Sequence, residues 1–195
     1  MPRMWAAAPI LVVVFAALVF SQATPQLPKH APELKRLSYF AGDWTSEGDV
    51  KASPMGPGGK FTVKDHYEWM KGGFFLVAHG TFEGAMGSGT AVSYVGYNTE
   101  EKVYTFDGYN SIGEAEHLKG TVSGDTWTLT NEEKMGGQVI KGRYSITVTS
   151  PTSYTFKFEM APANSQWSTI MEGTATKAAK PAAPAKKSGA AKKSS

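Results

Sequence analysis

Two carboxylates in this sequence have neighbours that would place them inside a folded domain. Asp65 interrupts an alternating apolar series that continues through Tyr67. Alternate side chains of a strand share one face, so we expect Asp65 to point inward. We also expect Asp107, near Tyr104 and Tyr109, to be an inward carboxylate. A buried carboxylate must be hydrogen-bonded or shift its pKa, which suits a polar anchor for a ligand or an acid–base group.

One histidine lies in an apolar stretch. His79 shares a face with Phe75 and Val77, but the opposite face is equally apolar, so its direction stays open. Histidines at metal-ligating spacing are missing, and we expect no metal site. The sequence contains no Gly-x-Ser-x-Gly elbow and no His-Glu-x-x-His motif, so no catalytic residue is assigned.

The elements that would position these groups are strands. From Asp43 to about Thr176, apolar and polar residues alternate, and the breaks between the runs are rich in glycine and proline. This pattern predicts about ten strands with antiparallel neighbours. Apolar residues at 34, 37 and 40 predict a short preceding helix. The predicted fold class is therefore all-β, a single antiparallel up-and-down barrel with a short N-terminal helix.

Two closed forms of such a sheet differ in which face is apolar. An outer-membrane barrel turns its apolar face to lipid, whereas a soluble barrel turns it inward. The polar faces of strands 61–69 and 139–148 are densely charged, and the apolar faces carry bulky aromatic residues. This favours the soluble barrel.

The first 23 residues resemble a secretory signal peptide. Arg3 precedes an apolar run from Trp5 to Phe20, and small residues at Ser21 and Ala23 predict cleavage after Ala23. The run is shorter than the ~20 residues needed to cross a bilayer, so no transmembrane segment is expected after cleavage. The sequence has no cysteine, which excludes a lipoprotein anchor. We expect a periplasmic or secreted protein.

Composition divides the remaining chain. We expect a linker at 24–32, a barrel domain at 33–176 and a disordered tail rich in Lys, Ala and Pro at 177–195. Six of the 20 Lys and Arg residues lie in the tail and Arg3 lies in the leader, which leaves 13 against 17 acidic residues. This balance argues against specific nucleic-acid binding. The tail lysines suit a weak contact with an anionic surface, although such a tail needs no partner to stay extended.

Several short motifs resemble a bacterial family of exported proteins classed as a domain of unknown function. The motifs, which span roughly residues 34–176, are Leu37-x-x-Phe40-Ala41-Gly42-Asp43-Trp44 with Gly48, Ser53-Pro54-Met55-Gly56-Pro57-Gly58-Gly59-Lys60, Gly72-Gly73-Phe74-Phe75-Leu76, and Gly96-Tyr97-Asn98 with Lys102-x-Tyr104. The resemblance implies a calycin-like barrel of about ten strands and implies no established reaction.

The Gly42-x-Trp44 element also resembles the opening of lipocalins and of the haem-binding nitrobindins. The nitrobindin pattern has a second glycine where this chain has Ser46. Its haem-ligating histidine lies late in the barrel, whereas the last histidine here is His117. The resemblance therefore supports the fold, and we expect no haem or other cofactor.

The leading functional hypothesis is an exported barrel that holds a small, mostly apolar ligand. The residues expected to line the ligand are Tyr67, Trp69, Phe74, Tyr94, Tyr144, Phe156, Phe158, Asp65 and His79. One alternative is an enzyme that uses Asp65 or Asp107 with a tyrosine or His79 as an acid–base pair. Another is a non-catalytic envelope interaction protein with a solid core.

Overall fold

A computed structural model describes residues 28–53, 56–85, 87–162 and 165–179. The expected signal peptide and nearly all of the expected tail lie outside these residues. The described elements, in chain order, are α1 Leu34–Leu37, β1 Gly42–Val50, β2 Gly59–Trp69, β3 Leu76–Gly84, β4 Gly87–Asn98, β5 Val103–Asn110, β6 Ala115–Ser123, β7 Thr126–Met135, β8 Gln138–Ser150, β9 Ser153–Pro162 and β10 Ser168–Lys177.

The ten strands form one closed antiparallel barrel. Each strand pairs with the next along the chain, and β10 pairs with β1 to close the sheet. Short turns between consecutive strands impose this up-and-down order, because such turns can join only antiparallel neighbours. Among the described strands, closure leaves no unpaired sheet edge. The predicted fold class is confirmed.

The strand register separates an inner from an outer face. Asp65 of β2 is directly opposite Gly80 of β3, which is opposite Ala91 of β4. Residues in one such row face the same side of a sheet. A Cβ on Gly48 or Gly173 would collide with the ring of Phe61 or Phe156, so these rings lie over glycines on the inner face.

One end of the barrel is closed by α1 and the aromatic residues beside it. Leu37 and Trp44 are almost fully buried, and the indole Nε1 of Trp44 donates a hydrogen bond of 2.6 Å to the Phe40 carbonyl. Tyr104 donates to the Glu33 carbonyl at 3.0 Å, which ties β5 to the residue before the helix. Burying a large apolar side chain contributes roughly 1.5–3 kcal/mol, and the buried residues of this end belong to one hydrophobic cluster that continues along the interior to Phe61 and Phe156.

The C-terminal strand ends at Lys177, one residue beyond the expected end of the domain. The Lys177 ammonium donates to the Tyr39 carbonyl at 2.9 Å and lies 5.3 Å from the centre of the Trp44 ring. The Lys177 backbone N–H donates to the Thr152 carbonyl. Composition assigned this lysine to the tail, but these three contacts fix it at the closed end of the barrel.

The outer face carries the charged side chains. The ion pair Lys60–Asp49 joins neighbouring strands there, and Lys119–Glu101 joins β6 to the turn between β4 and β5. On the same face, the partly exposed Arg143 pairs with the buried Glu159, and its guanidinium lies 4.3 Å from the centre of the Trp167 ring. None of the helices in the described ranges is long and apolar enough to span a membrane.

Candidate functional site

The inner face of the barrel carries a carboxylate without a protein partner. Asp65 occupies an inward position on β2, and a Cβ on the opposed Gly80 would collide with its carboxylate oxygen. Among the described residues, Asp65 forms no hydrogen bond or ion pair, and burial raises its pKa from 3.8 to about 6. The sequence-based expectation for its direction is confirmed by this placement.

Two inward tyrosine hydroxyls feel the charge of this carboxylate. Tyr67 is two residues along β2, and Tyr144 reaches the same space from β8. Burial raises the pKa of both phenols well above their usual value, and the negative charge of Asp65 raises each further. Tyr154, which also feels the charge of Asp65, is hydrogen-bonded to Ser46. The barrel interior therefore holds a cluster of polar groups in which the charge of Asp65 affects the pKa of all three tyrosines.

The hydroxyls of Tyr67 and Tyr144 face an internal space that admits water. Neither hydroxyl has a hydrogen-bond partner among the described residues. In the same residues, every side-chain nitrogen or oxygen atom that is fully shielded from water has such a partner. Both hydroxyls must therefore be accessible to water, although protein surrounds them deeply enough to raise the pKa of each phenol. The interior is thus not completely filled by side chains.

A second inward carboxylate, Glu116, lies nearer the barrel end opposite α1, here named the open end because no helix of the described residues covers it. It stands at the end of a row of opposed residues that begins with Tyr67 and continues through the small residues Ala78, Ser93 and Gly108. Burial, together with Glu133 and Glu114, raises the pKa of Glu116 to about 7, and His117 opposes this change. Tyr144 feels the charge of both Glu116 and Asp65, so its hydroxyl lies within electrostatic reach of both carboxylates.

Sequence reasoning did not assign Glu116 to the interior. The pattern that identifies it is the alternation of Glu116, Leu118 and Val122 with the exposed residues His117 and Lys119. Leu118 is buried, so the residues two apart from it share the inner face.

Aromatic rings form the apolar wall of the interior. Tyr144 stacks on Phe156 with ring centres 6.0 Å apart and an interplanar angle of 17°. Phe158 lies 6.4 Å from Tyr144 on the side toward the open end, and Phe61 lies 6.1 Å from Phe156. The predicted lining residues Tyr67, Tyr144, Phe156 and Phe158 therefore meet on one inner surface with Asp65.

Other predicted lining residues lie elsewhere. His79 and Tyr94 occupy outward positions, and His79 is exposed in an open depression of the outer surface. Trp69 and Phe74 pack against the core at the closed end, where Phe74 contacts the ring of His30 at 4.4 Å.

The expectation that Asp107 faces inward is wrong. Asp107 lies on the outer face and is hydrogen-bonded to Nδ1 of His117 at 2.7 Å. Its supposed neighbours Tyr104 and Tyr109 are five residues apart and so point to opposite faces, and only Tyr104 is buried. Asp65 is therefore separated by the barrel wall from both Asp107 and His79, and no acid–base pair forms between them. Within the described ranges, no group of three His, Asp or Glu side chains could hold a metal ion.

The described strands define the class of fold, which is a closed ten-stranded antiparallel up-and-down β-barrel plugged at one end. More particularly, the chain belongs to the family described as "Protein of unknown function (DUF1579)", whose model matches residues 29–177.

Several solved structures resemble this barrel. Rv2717c from M. tuberculosis is 14% identical with a TM-score of 0.54, and the match covers 77% of this chain and 100% of that chain. At this identity the likeness concerns the fold. EF1p2_mFAP2b bound to DFHBI is 14% identical with a TM-score of 0.39, covering 74% of this chain and 98% of that chain. The S-type phycobiliprotein lyase CPES from Guillardia theta is 9% identical with a TM-score of 0.49, covering 75% and 92%. No curated protein matches the sequence.

Proposed function

We propose that this chain is an exported protein that binds a small, mostly apolar molecule inside its barrel. The observation that carries the proposal is the pair of deep tyrosine hydroxyls, on Tyr67 and Tyr144, that are accessible to water and have no partner among the described residues. Small-molecule sites combine an apolar wall with a few polar groups that fix the orientation of the ligand. Here Phe156 and Phe158 supply the wall, and Asp65 and the two hydroxyls supply the polar groups.

Binding is tested by native mass spectrometry of the protein purified from the periplasm of its own cells. We expect a co-purified small molecule in the wild type. Ala91→Leu adds an inward side chain beside Gly80 and should reduce the bound fraction, whereas Val92→Leu, on the outer face of the same strand, should not. If Ala91→Leu does not fold, Tyr144→Phe, which removes only one hydroxyl, replaces it. Wild-type protein that carries no molecule and binds none from a cell extract would contradict the proposal.

Export rests on the leader pattern of residues 1–23. N-terminal sequencing of protein recovered from the periplasm or the medium should begin at Thr24. Recovery of intact protein that begins at Met1, only in the cytoplasm, would overturn this part of the proposal without affecting the binding site.

A further inference from the structure

We propose that the ligand class is a cationic amine with a flat apolar body, held with its ammonium group against Asp65 and the hydroxyls of Tyr67 and Tyr144. This inference rests on the proposed small-molecule function and specifies its ligand. It follows from the charges, the hydrogen-bonding groups and the ring surfaces that face the interior.

Apart from Lys177, the charged positions on the inner face of the described strands are acidic. Asp65, Glu116 and Glu133 occupy inward positions in the register of the described strands. The lysine and arginine side chains of β1–β9 occupy outward positions; they are Lys60, Lys64, Lys119, Lys134, Lys141, Arg143 and Lys157. Lys177, on β10, is bonded to the Tyr39 carbonyl at the closed end. The inward acidic positions of the described strands therefore have only Lys177 as an inward cation, and its engagement at the closed end favours a ligand that brings a positive charge to Asp65.

The hydrogen-bonding groups of the cluster match an ammonium. A carboxylate accepts hydrogen bonds only, and a tyrosine hydroxyl oxygen can also accept them. An ammonium offers three donors, and Asp65, Tyr67 and Tyr144 together offer three accepting groups from opposite walls of the barrel. An anionic ligand would meet the like charge of Asp65, and the inward Lys177 ammonium is already bonded to the Tyr39 carbonyl at the closed end.

The rings beside the cluster suit a flat body. Tyr144 and Phe156 are nearly parallel, so a planar group can lie along the surface that they share. The faces of such rings also attract cations. At the open end, Glu133 lies close enough to Glu116 for its charge to raise the pKa of Glu116. Such an acidic entrance attracts cations by electrostatic steering.

Three probes with the same ring system separate charge from shape. They are the cation 2-(1-naphthyl)ethylammonium, the neutral 2-(1-naphthyl)ethanol and the anion 1-naphthaleneacetate. We expect calorimetric titration of the full-length mature protein at pH 8 to give at least about tenfold tighter binding for the amine than for the alcohol. The acetate should bind most weakly. Asp65→Asn should remove the preference for the amine, because it weakens amine binding far more than it changes alcohol binding. Glu68→Gln, at an exposed outward position of the same strand, should leave the preference intact.

Each other outcome also decides the question. Alcohol or acetate binding at least as tight as amine binding would overturn the amine inference and leave the small-molecule function standing. Amine preference that survives Asp65→Asn would place the amine outside the proposed site and overturn the inference.

If Asp65→Asn does not fold, Tyr144→Phe must weaken amine binding more than alcohol binding. If no probe binds, the charge of a co-purified molecule decides: a cation supports the inference, and a neutral or anionic molecule overturns it. If no probe binds and no molecule co-purifies, both proposals are contradicted.

Discussion

The carboxylate of Asp65 fills the space in front of Gly80, its directly opposed partner on β3. A side chain at position 80 would occupy the place of the carboxylate oxygen. The absence of a Cβ at position 80 therefore leaves room for the Asp65 carboxylate against the inner face of the barrel wall.

Gly80→Ala is expected to destabilise the protein by about 1–3 kcal/mol, because overpacking forces a buried group to move. The free energy of unfolding is measured by urea denaturation. Gly56→Ala is the matched control, since a Cβ there meets nothing within 4 Å, and it should change stability by no more than about 0.5 kcal/mol. Equal effects of the two substitutions would show that the Asp65–Gly80 packing does not matter.

Asp65→Asn is expected to stabilise the unliganded protein at pH 8 and to have little effect at pH 4. Burial raises the pKa of Asp65 from 3.8 to about 6, so the folded state prefers the protonated form. The contribution of protonated Asp65 to the free energy of unfolding is fully present below about pH 4. This contribution is lost as the pH rises through about 6. The gain at pH 8 should be about 1–3 kcal/mol, since the carboxylate keeps some contact with water.

Thermal unfolding of Asp65→Asn and wild type across pH 4–8 measures this difference. Glu116 retains its own raised pKa in both proteins, so its contribution cancels in the comparison. A stability difference that is constant over this range would contradict a raised pKa for Asp65.

Arg143→Met is expected to destabilise the protein by about 1–3 kcal/mol. Arg143 donates to the Glu159 carboxylate at 2.9 Å, and only 6% of Glu159 is exposed. Burial raises the pKa of Glu159. Hydrogen bonds from Lys157 and Arg143 outweigh this effect of burial, so the pKa of Glu159 is lowered. The double variant Arg143→Met/Glu159→Met should recover part of the loss, because it leaves no buried charge with reduced pairing. Strictly additive effects in chemical denaturation would argue against this coupling.

Two truncations test where the barrel ends. Protein that ends at Ala179 should unfold within about 0.5 kcal/mol of the full-length mature protein. Protein that ends at Thr176 should lose about 1–2 kcal/mol, because the hydrogen bonds of Lys177 to Tyr39 and Thr152 are removed.

Truncation at Ala179 should also abolish binding to anionic vesicles at low salt, measured by co-sedimentation, because it removes most of the basic tail. Vesicle binding that survives would place an anionic-surface site on the barrel itself.

The sequence by itself determined the strands, the closing tryptophan and the direction of Asp65, because side-chain alternation is a local property of each strand. Tyr67, Phe156 and Phe158 follow from the same rule. Local alternation also suffices for Glu116, whose neighbour Leu118 marks the buried face.

Only the tertiary structure decided which residues of distant strands meet. The alternation around His79 is apolar on both faces, and its outward direction follows from the register of β3 with β2 and β4. Asp107 points outward for the same reason. The polar cluster of Asp65, Tyr144 and Glu116 joins β2, β8 and β6, and these strands face one another only because β1 pairs with β10. Register and closure are long-range pairings, and no local pattern encodes them.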